Sequence, residues 1–326
     1  MDLECCSYYL QLPLLTCCLF LLYSIFNVFA AARSCGSGDD QLAPRSYPVV
    51  GCLVDFYRNR RRLLGWYTAL LAASPSQTIV VDRLGARRTV VTANPANVEH
   101  VLKGNFGNYP KGKPFTEVLG DLLGGGIFNV DGEMWYRQRK MVSHEFSARV
   151  LRETDSGRGD VVGVDLEGSR GARVLHAALC ETMRLYPPVA WDSKHAAEDD
   201  VLPDGTRVGR GDRVTYFPYG MGRMESIWGP DAGEFRPRRW LALPRDGVSP
   251  FKYPVFQGGP RTCLGKEMAF VQMKFVASAV LRRFERRPVA EGSPVFVPLL
   301  TAHMAGGLKV TVTRRRHRQQ NGTCER

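Results

Sequence analysis

Hydrophobic positions divide the chain into one unbroken apolar stretch and a long mixed remainder. Residues 5–32 carry no charged side chain and are rich in Leu, Phe, Tyr and Ala. That length is enough to cross a bilayer. Asp2 and Glu4 precede the stretch, while Arg33, Arg45, Arg58, Arg60, Arg61 and Arg62 follow it. Basic flanks stay on the cytosolic side, so the reading is a single-pass anchor at 1–32 with the remainder facing the cytosol. A cleaved signal peptide would need a basic leading region, and none is present. Pro13 and the polar Gln11, Thr16, Ser24 and Asn27 weaken the helix.

A polar linker covers 33–43, and a Pro-punctuated approach from Pro44 to Gly51 opens the folded region. The pattern then predicts a helix over 52–73 with a basic face at 58–62. Strands follow over 78–81 and 88–92, joined by a turn at Leu84-Gly85-Ala86. Pro95 opens a short helix that stops at Gly104. Residues 106–127, punctuated by Pro110, Gly112, Pro114 and Gly124-Gly125-Gly126, read as a long loop. Phe128-Asn129-Val130-Asp131-Gly132 leads into a helix over 133–146. Residues 152–171 are polar and Gly-rich. A second long helix covers 174–185 and ends before Pro187-Pro188. Strand-like pieces at 191–196, 201–202 and 213–216 are separated by the turns Pro203-Asp204-Gly205 and Arg210-Gly211-Asp212. Residues 219–228 read as irregular, 266–284 as a helix, and 295–312 as strands turned at Gly306-Gly307. The sum is a mainly α chain with small β-sheets, an α+β class.

With 326 residues of which 44% are hydrophobic, the chain can bury a sizeable core. The net charge of +12 comes largely from short arginine runs, at 58–62 and at 314–318. No aromatic interleaving or zinc-finger spacing accompanies them, which argues against nucleic acid. A membrane surface or an acidic protein partner fits the first run better. The second reads as solvated surface. The nine cysteines are odd in number and contain no C-x-x-C pair. That is not a disulfide framework, and a reducing compartment follows.

The densest chemistry lies in Phe256-Gln257-Gly258-Gly259-Pro260-Arg261-Thr262-Cys263-Leu264-Gly265. Two glycines and a proline force an irregular loop, and Gly259 permits a tight turn. Good helix formers follow from Lys266, so Cys263 is expected at the last loop position before a helix. The free N–H groups and dipole of a helix N-terminus stabilise an anion. A thiolate is such an anion and is the metal-ligating form of cysteine. Gly265 leaves room for a flat cofactor against the backbone, and Arg261 is placed to meet a carboxylate. The alternative is a buried structural cysteine in a Gly/Pro loop.

That stretch resembles the haem-binding loop of the cytochrome P-450 monooxygenases, Phe-x-x-Gly-x-Arg-x-Cys-x-Gly. The resemblance implies a cytochrome P-450 fold and haem b held by an axial Cys263 thiolate. It implies cofactor contacts from Phe256, Gly259, Arg261 and Gly265. Trp135 and Arg139, four apart on one helix face, resemble the family's Trp-x-x-x-Arg, whose side chains reach a haem propionate. Lys194 or His195 is expected to add a contact. Glu181-Thr182-Met183-Arg184 resembles the family's Glu-x-x-Arg, and Phe235-Arg236-Pro237-Arg238-Arg239 its Phe-x-Pro-x-Arg. A Glu181–Arg184–Arg239 network without a chemical role is therefore expected. Electrons would come from NADPH through a flavoprotein reductase, with Arg137, Lys140, Lys266 and Lys274 as candidate docking charges. Asn108-Tyr109-Pro110-Lys111-Gly112 and Met221-Gly222-Arg223-Met224-Glu225 resemble the plant fatty-acid ω-hydroxylase branch. That branch implies a fatty-acid-like substrate and an endoplasmic reticulum membrane location.

The family's Ala/Gly-Gly-x-Asp/Glu-Thr motif, carried on the helix over the haem, does not occur in this sequence. Its place between 146 and 174 is taken by a hydrophilic junction too short for two ordinary helices and their loops. The expected organisation is an anchor at 1–32, a linker at 33–43, an N-terminal part at 44–152, a junction at 153–172 and a haem-binding part at 173–326. The fold is expected to be incomplete in its middle, and no catalytic residue is identified. Three readings stay open: a membrane-anchored fatty-acid monooxygenase, a non-catalytic haem-binding remnant, and a haem-free interaction protein. A mis-assembled gene, a splice product and a pseudogene would each produce such a chain.

Overall fold

The computed structural model describes residues 16, 19–21, 23, 44–47, 50–82, 86–146, 170–243, 247–289 and 295–315. Most of the expected anchor and of the junction lies outside them. No helix among the described residues is long and apolar enough to cross a membrane.

The expected helix over 52–73 is two, α1 (Leu53–Asn59) and α2 (Leu63–Ala73). The break falls on the arginine run. Arg62 leaves helical geometry at φ −125°, and its Nε donates to Asn59 Oδ1 at 2.9 Å. Adjacent like charges and a side chain that competes for local hydrogen bonds both disfavour continuing the helix.

β1 (Thr78–Val81) and β2 (Thr89–Thr92) pair antiparallel. The short helix α3 (Pro95–Glu99) follows, capped by Asn94, whose side chain accepts from Ala96 N. It continues as a widened turn over His100–Gly104. Later in the chain come β3 (Asp192–His195), the hairpin β4 (Asp200–Val201) and β5 (Arg207–Val208), and β6 (Arg213–Tyr216). The main sheet has the order β1-β2-β6-β3, with β2 and β6 parallel and β3 antiparallel to β6. One sheet therefore joins the two halves of the chain across the junction. Its core includes the fully buried Leu71, Val90, Val98, Phe217 and Met221.

Three long helices complete the frame. Helix α4 (Gly132–Ser143) carries Trp135, α5 (Arg170–Leu185) carries Glu181 and Arg184, and α6 (Lys266–Arg283) follows Cys263. Two stretches expected to be irregular contain short helices. These are Lys113–Val118 with Gly120–Leu123, and Pro218–Met221 with Glu225–Trp228. Pro114 and Pro218 lie in the first helical turn, where proline's fixed φ favours the helix and its missing N–H costs nothing. The C-terminal strands also differ from expectation. β7 (Phe284–Pro288) runs straight out of α6 and pairs with β10 (Val310–Arg314), while β8 (Val295–Val297) pairs with β9 (His303–Ala305). Gly306-Gly307 links β9 to β10 across two separate sheets instead of forming a hairpin.

Candidate functional site

Cys263 is exposed at the end of a loop held by its own backbone. Its N–H donates to Phe256 O at 2.8 Å, and Thr262 N–H and Oγ1 both donate to Gly259 O, at 3.1 and 2.7 Å. Gly259 has φ +63°, and a Cβ there would stand 2.1 Å from Leu102 O. Only glycine fits both the conformation and the contact. Phe256 packs its ring 5.4 Å from Phe270 of α6, so the loop is pinned to the helix behind it. Cys263 does not sit at the helix cap as expected. Gly265 holds that position and α6 begins at Lys266, because Pro260 and Gly259 wind Gly259–Arg261 into a 3₁₀ turn earlier in the loop. A Cβ on Gly265 would meet Phe146 at 3.6 Å, an ordinary contact.

Helix α4 delivers two expected side chains to this loop. Arg139 Nη2 donates to Thr262 O at 2.5 Å, one residue before Cys263. Arg261 lies over the Trp135 ring at 4.5 Å. Within the chain the carboxylate that Arg261 meets is that of Asp131, through Nη2, and its Nη1 donates to Val130 O at 3.4 Å. Burial lowers the Arg261 pKa, an effect the Asp131 charge opposes.

Lys194 has a partner within the chain. It is 1% exposed, and its ammonium donates to both oxygens of Asp192, at 3.0 and 2.9 Å. A buried ammonium needs such a partner, and the strand geometry supplies it two residues away. His195, the other candidate, bonds through Nδ1 to Lys111 O at 2.6 Å. Burial keeps the imidazole pKa below its ordinary value, against the pull of that bond.

The scaffold network lies behind the loop. Arg184 Nε and Nη2 donate to the two oxygens of Glu181, each at 2.8 Å, and Arg239 Nε reaches Glu181 Oε1 at 3.0 Å. Glu181 also accepts from Arg236 N at 2.7 Å and Trp240 Nε1 at 2.8 Å. Arg184 spends its remaining donors on the carbonyls of Gly222, Ala232 and Glu234. Arg239 bonds to Asp231 and to Trp228 O. Burial raises the Glu181 pKa, but the bonds from Arg184, Arg236, Trp240 and Arg239 outweigh it and hold the carboxyl at about 2.

Buried polar atoms without a partner include Gln257 Oε1 within the loop, and Arg261 Nε and His195 Nε2. A buried guanidinium N–H with nothing to donate to is costly. Its need for an acceptor, beside a second arginine and an exposed thiol, fits the carboxylate edge and iron of a haem. Sequence reasoning missed two residues here. Lys111 is 8% exposed, and burial with the nearby Arg261 and Lys194 charges brings its ammonium down to about 8. Asp131 accepts from three donors on two segments of chain. Its place before α4 marked it only as a helix start.

The sheet, the Glu–Arg network and the cysteine loop together define a protein built to present one thiolate to a cofactor. Residues 42–156 and 145–302 match the family model for cytochrome P450. Cytochrome P450 94B3 of Arabidopsis thaliana is 37% identical over 490 aligned positions, covering 91% of this chain and 97% of the relative. Cytochrome P450 94A1 of Vicia sativa is 28% identical, covering 83% and 90%. A cytochrome P450 of Helianthus annuus is 58% identical over 145 residues, 43% of this chain. The chain belongs to the cytochrome P450 family. It is thus an oxidoreductase of the monooxygenase type by family, with haem-thiolate iron as cofactor and a reductase as electron source. It is also shorter than Cytochrome P450 94B3. Their alignment runs over 490 positions against 326 residues here, and the two family matches meet at 145–156.

Proposed function

We propose that Cys263 is the axial ligand of the haem, and that the ancestral reaction is hydroxylation of a fatty acid at or near its ω-carbon. In that reaction O2 is consumed with two electrons from NADPH, passed through a reductase. One oxygen atom enters the substrate and the other leaves as water. The carrying observation is the exposed Cys263 beside the buried, unpartnered Nε of Arg261. When bound, haem with a thiolate ligand supplies the electronic push that favours O–O cleavage. The chain's part is to hold it. Arg261, Trp135 and Arg139 orient the propionate edge, Phe256 and Gly259 fix the loop, and Glu181, Arg184 and Arg239 keep the scaffold. The fatty-acid assignment rests on the resemblance of 108–112 and 221–225. The charge-free stretch 5–32 supports an endoplasmic reticulum anchor with the domain cytosolic, and carbonate extraction that frees the chain would exclude it. Arg137, Lys140, Lys266 and Lys274 are proposed docking charges for the reductase.

We further propose that this chain does not complete the reaction, and is a non-catalytic remnant as it stands. Two observations favour this. The aligned relatives carry residues that this chain lacks, and faces around the site are bare. Helix α4 buries only Trp135 and α6 only Phe270. Met141 is 68% exposed and Val276 60%. Exposed apolar area of this kind marks a missing partner layer or an aggregation hazard. The segment 152–171 has too few apolar residues to cover a haem face and exclude water. The test is reconstitution with reductase, NADPH and a medium-chain fatty acid. Peroxide without hydroxylated product is expected, and stoichiometric hydroxylated product would refute the proposal.

A further inference from the structure

We infer that Asp131 is the positioning residue of the haem edge, clamping Arg261 and the Lys111-Gly112 turn in one arrangement; this rests on the haem reading above. Asp131 holds the N-cap position of α4, yet its side chain makes no capping bond. Aspartate is among the best capping residues, so its side chain is committed elsewhere. Oδ1 accepts from Lys111 N at 3.1 Å and from Arg261 Nη2, and Oδ2 accepts from Gly112 N at 3.2 Å. Two charge-neutral amides and one guanidinium from distant parts of the chain thus converge on one carboxylate.

The geometry leaves each partner little freedom. Gly112 has φ +79°, and a Cβ there would stand 2.8 Å from His195 Nδ1. The turn is therefore pressed against His195, which bonds to Lys111 O and whose backbone N–H donates to Pro110 O at 3.0 Å. Arg261 has one edge on Asp131 and Val130 O and one face on Trp135. What is left is its buried Nε, without a partner. Asp131 sets the orientation in which that N–H stays available. It also offsets part of the positive charge of Arg261 and Lys111. An ordinary ion pair would hold Arg261 alone. This carboxylate also sets the turn that seats His195, whose buried Nε2 is likewise without a partner.

The test is titration of the full chain with haemin and with haemin dimethyl ester, which lacks the propionate charges. The parent should bind haemin more tightly than the diester. Asp131→Asn should weaken haemin binding about tenfold or more and leave diester binding unchanged. Asp131→Glu, which keeps the charge, should recover part of the loss. Arg261→Gln should remove the same preference and add nothing in the double variant. Equal weakening of both ligands in Asp131→Asn, or no weakening of either, would overturn the inference. If Asp131→Asn does not fold, an Asp131→Glu variant that binds both ligands as the parent does overturns it equally. No Soret change in the parent with either ligand would instead overturn the haem reading on which the inference rests.

Discussion

Glu181 has no accessible surface, and five hydrogen bonds converge on its two oxygens. Its folded pKa of about 2 lies below the ordinary 4.5. The unfolded chain therefore takes up the proton first on acidification. The stabilisation is complete above 4.5 and is lost as pH falls through about 2. The urea midpoint should fall as pH drops below 4.5, and Glu181→Gln should start lower and flatten that fall. Arg184→Ala strands the buried carboxylate and should cost about 3–5 kcal/mol, read as loss of soluble, haem-loaded protein. These three residues were legible in the sequence because the spacing Glu-x-x-Arg and the Pro-flanked Arg239 travel as motifs. Trp240 and Asp231, which complete the network, were not, since one hydrogen bond from a tryptophan leaves no pattern in a sequence. The bond from Lys194 to Asp192 was hidden for the same reason.

Helices were readable where apolar positions recur with the helical period, so the expectation over 174–185 is contained in α5, which starts at Arg170. They were misread where prolines open short turns inside glycine-rich stretches, as at Lys113–Val118. The β7–β10 pairing was invisible because both strands are largely exposed, and β7, Phe-Glu-Arg-Arg-Pro, has no alternation to match that of Val310-Thr311-Val312-Thr313. The haem loop is the element most tightly dictated by its residues. Gly259→Ala adds a left-handed penalty of roughly 1–2 kcal/mol to a contact at 2.1 Å with Leu102 O. Its expected outcome is loss of the thiolate haem spectrum with the main sheet retained, checked by absorbance and far-ultraviolet circular dichroism. Unchanged haem binding would show that the loop has slack the geometry denies it.

At the scale of the molecule, two halves of a chain meet in one sheet, with β2 from before the junction and β6 from after it. That meeting explains how a chain shorter than Cytochrome P450 94B3 still brings its network, loop and arginines together. The cofactor loop was legible because its chemistry needs a fixed set of residue types in ten positions. The bare faces of α4 and α6 were legible only as an absence, in the distal motif that does not occur. Whether Cys263 ligates iron is decided by one spectrum: the reduced protein under carbon monoxide, parent against Cys263→Ala. The parent should show the red-shifted Soret band of thiolate-ligated haem and the variant should lack it. The same thiolate band in Cys263→Ala, or none in a haem-loaded parent, would contradict the account.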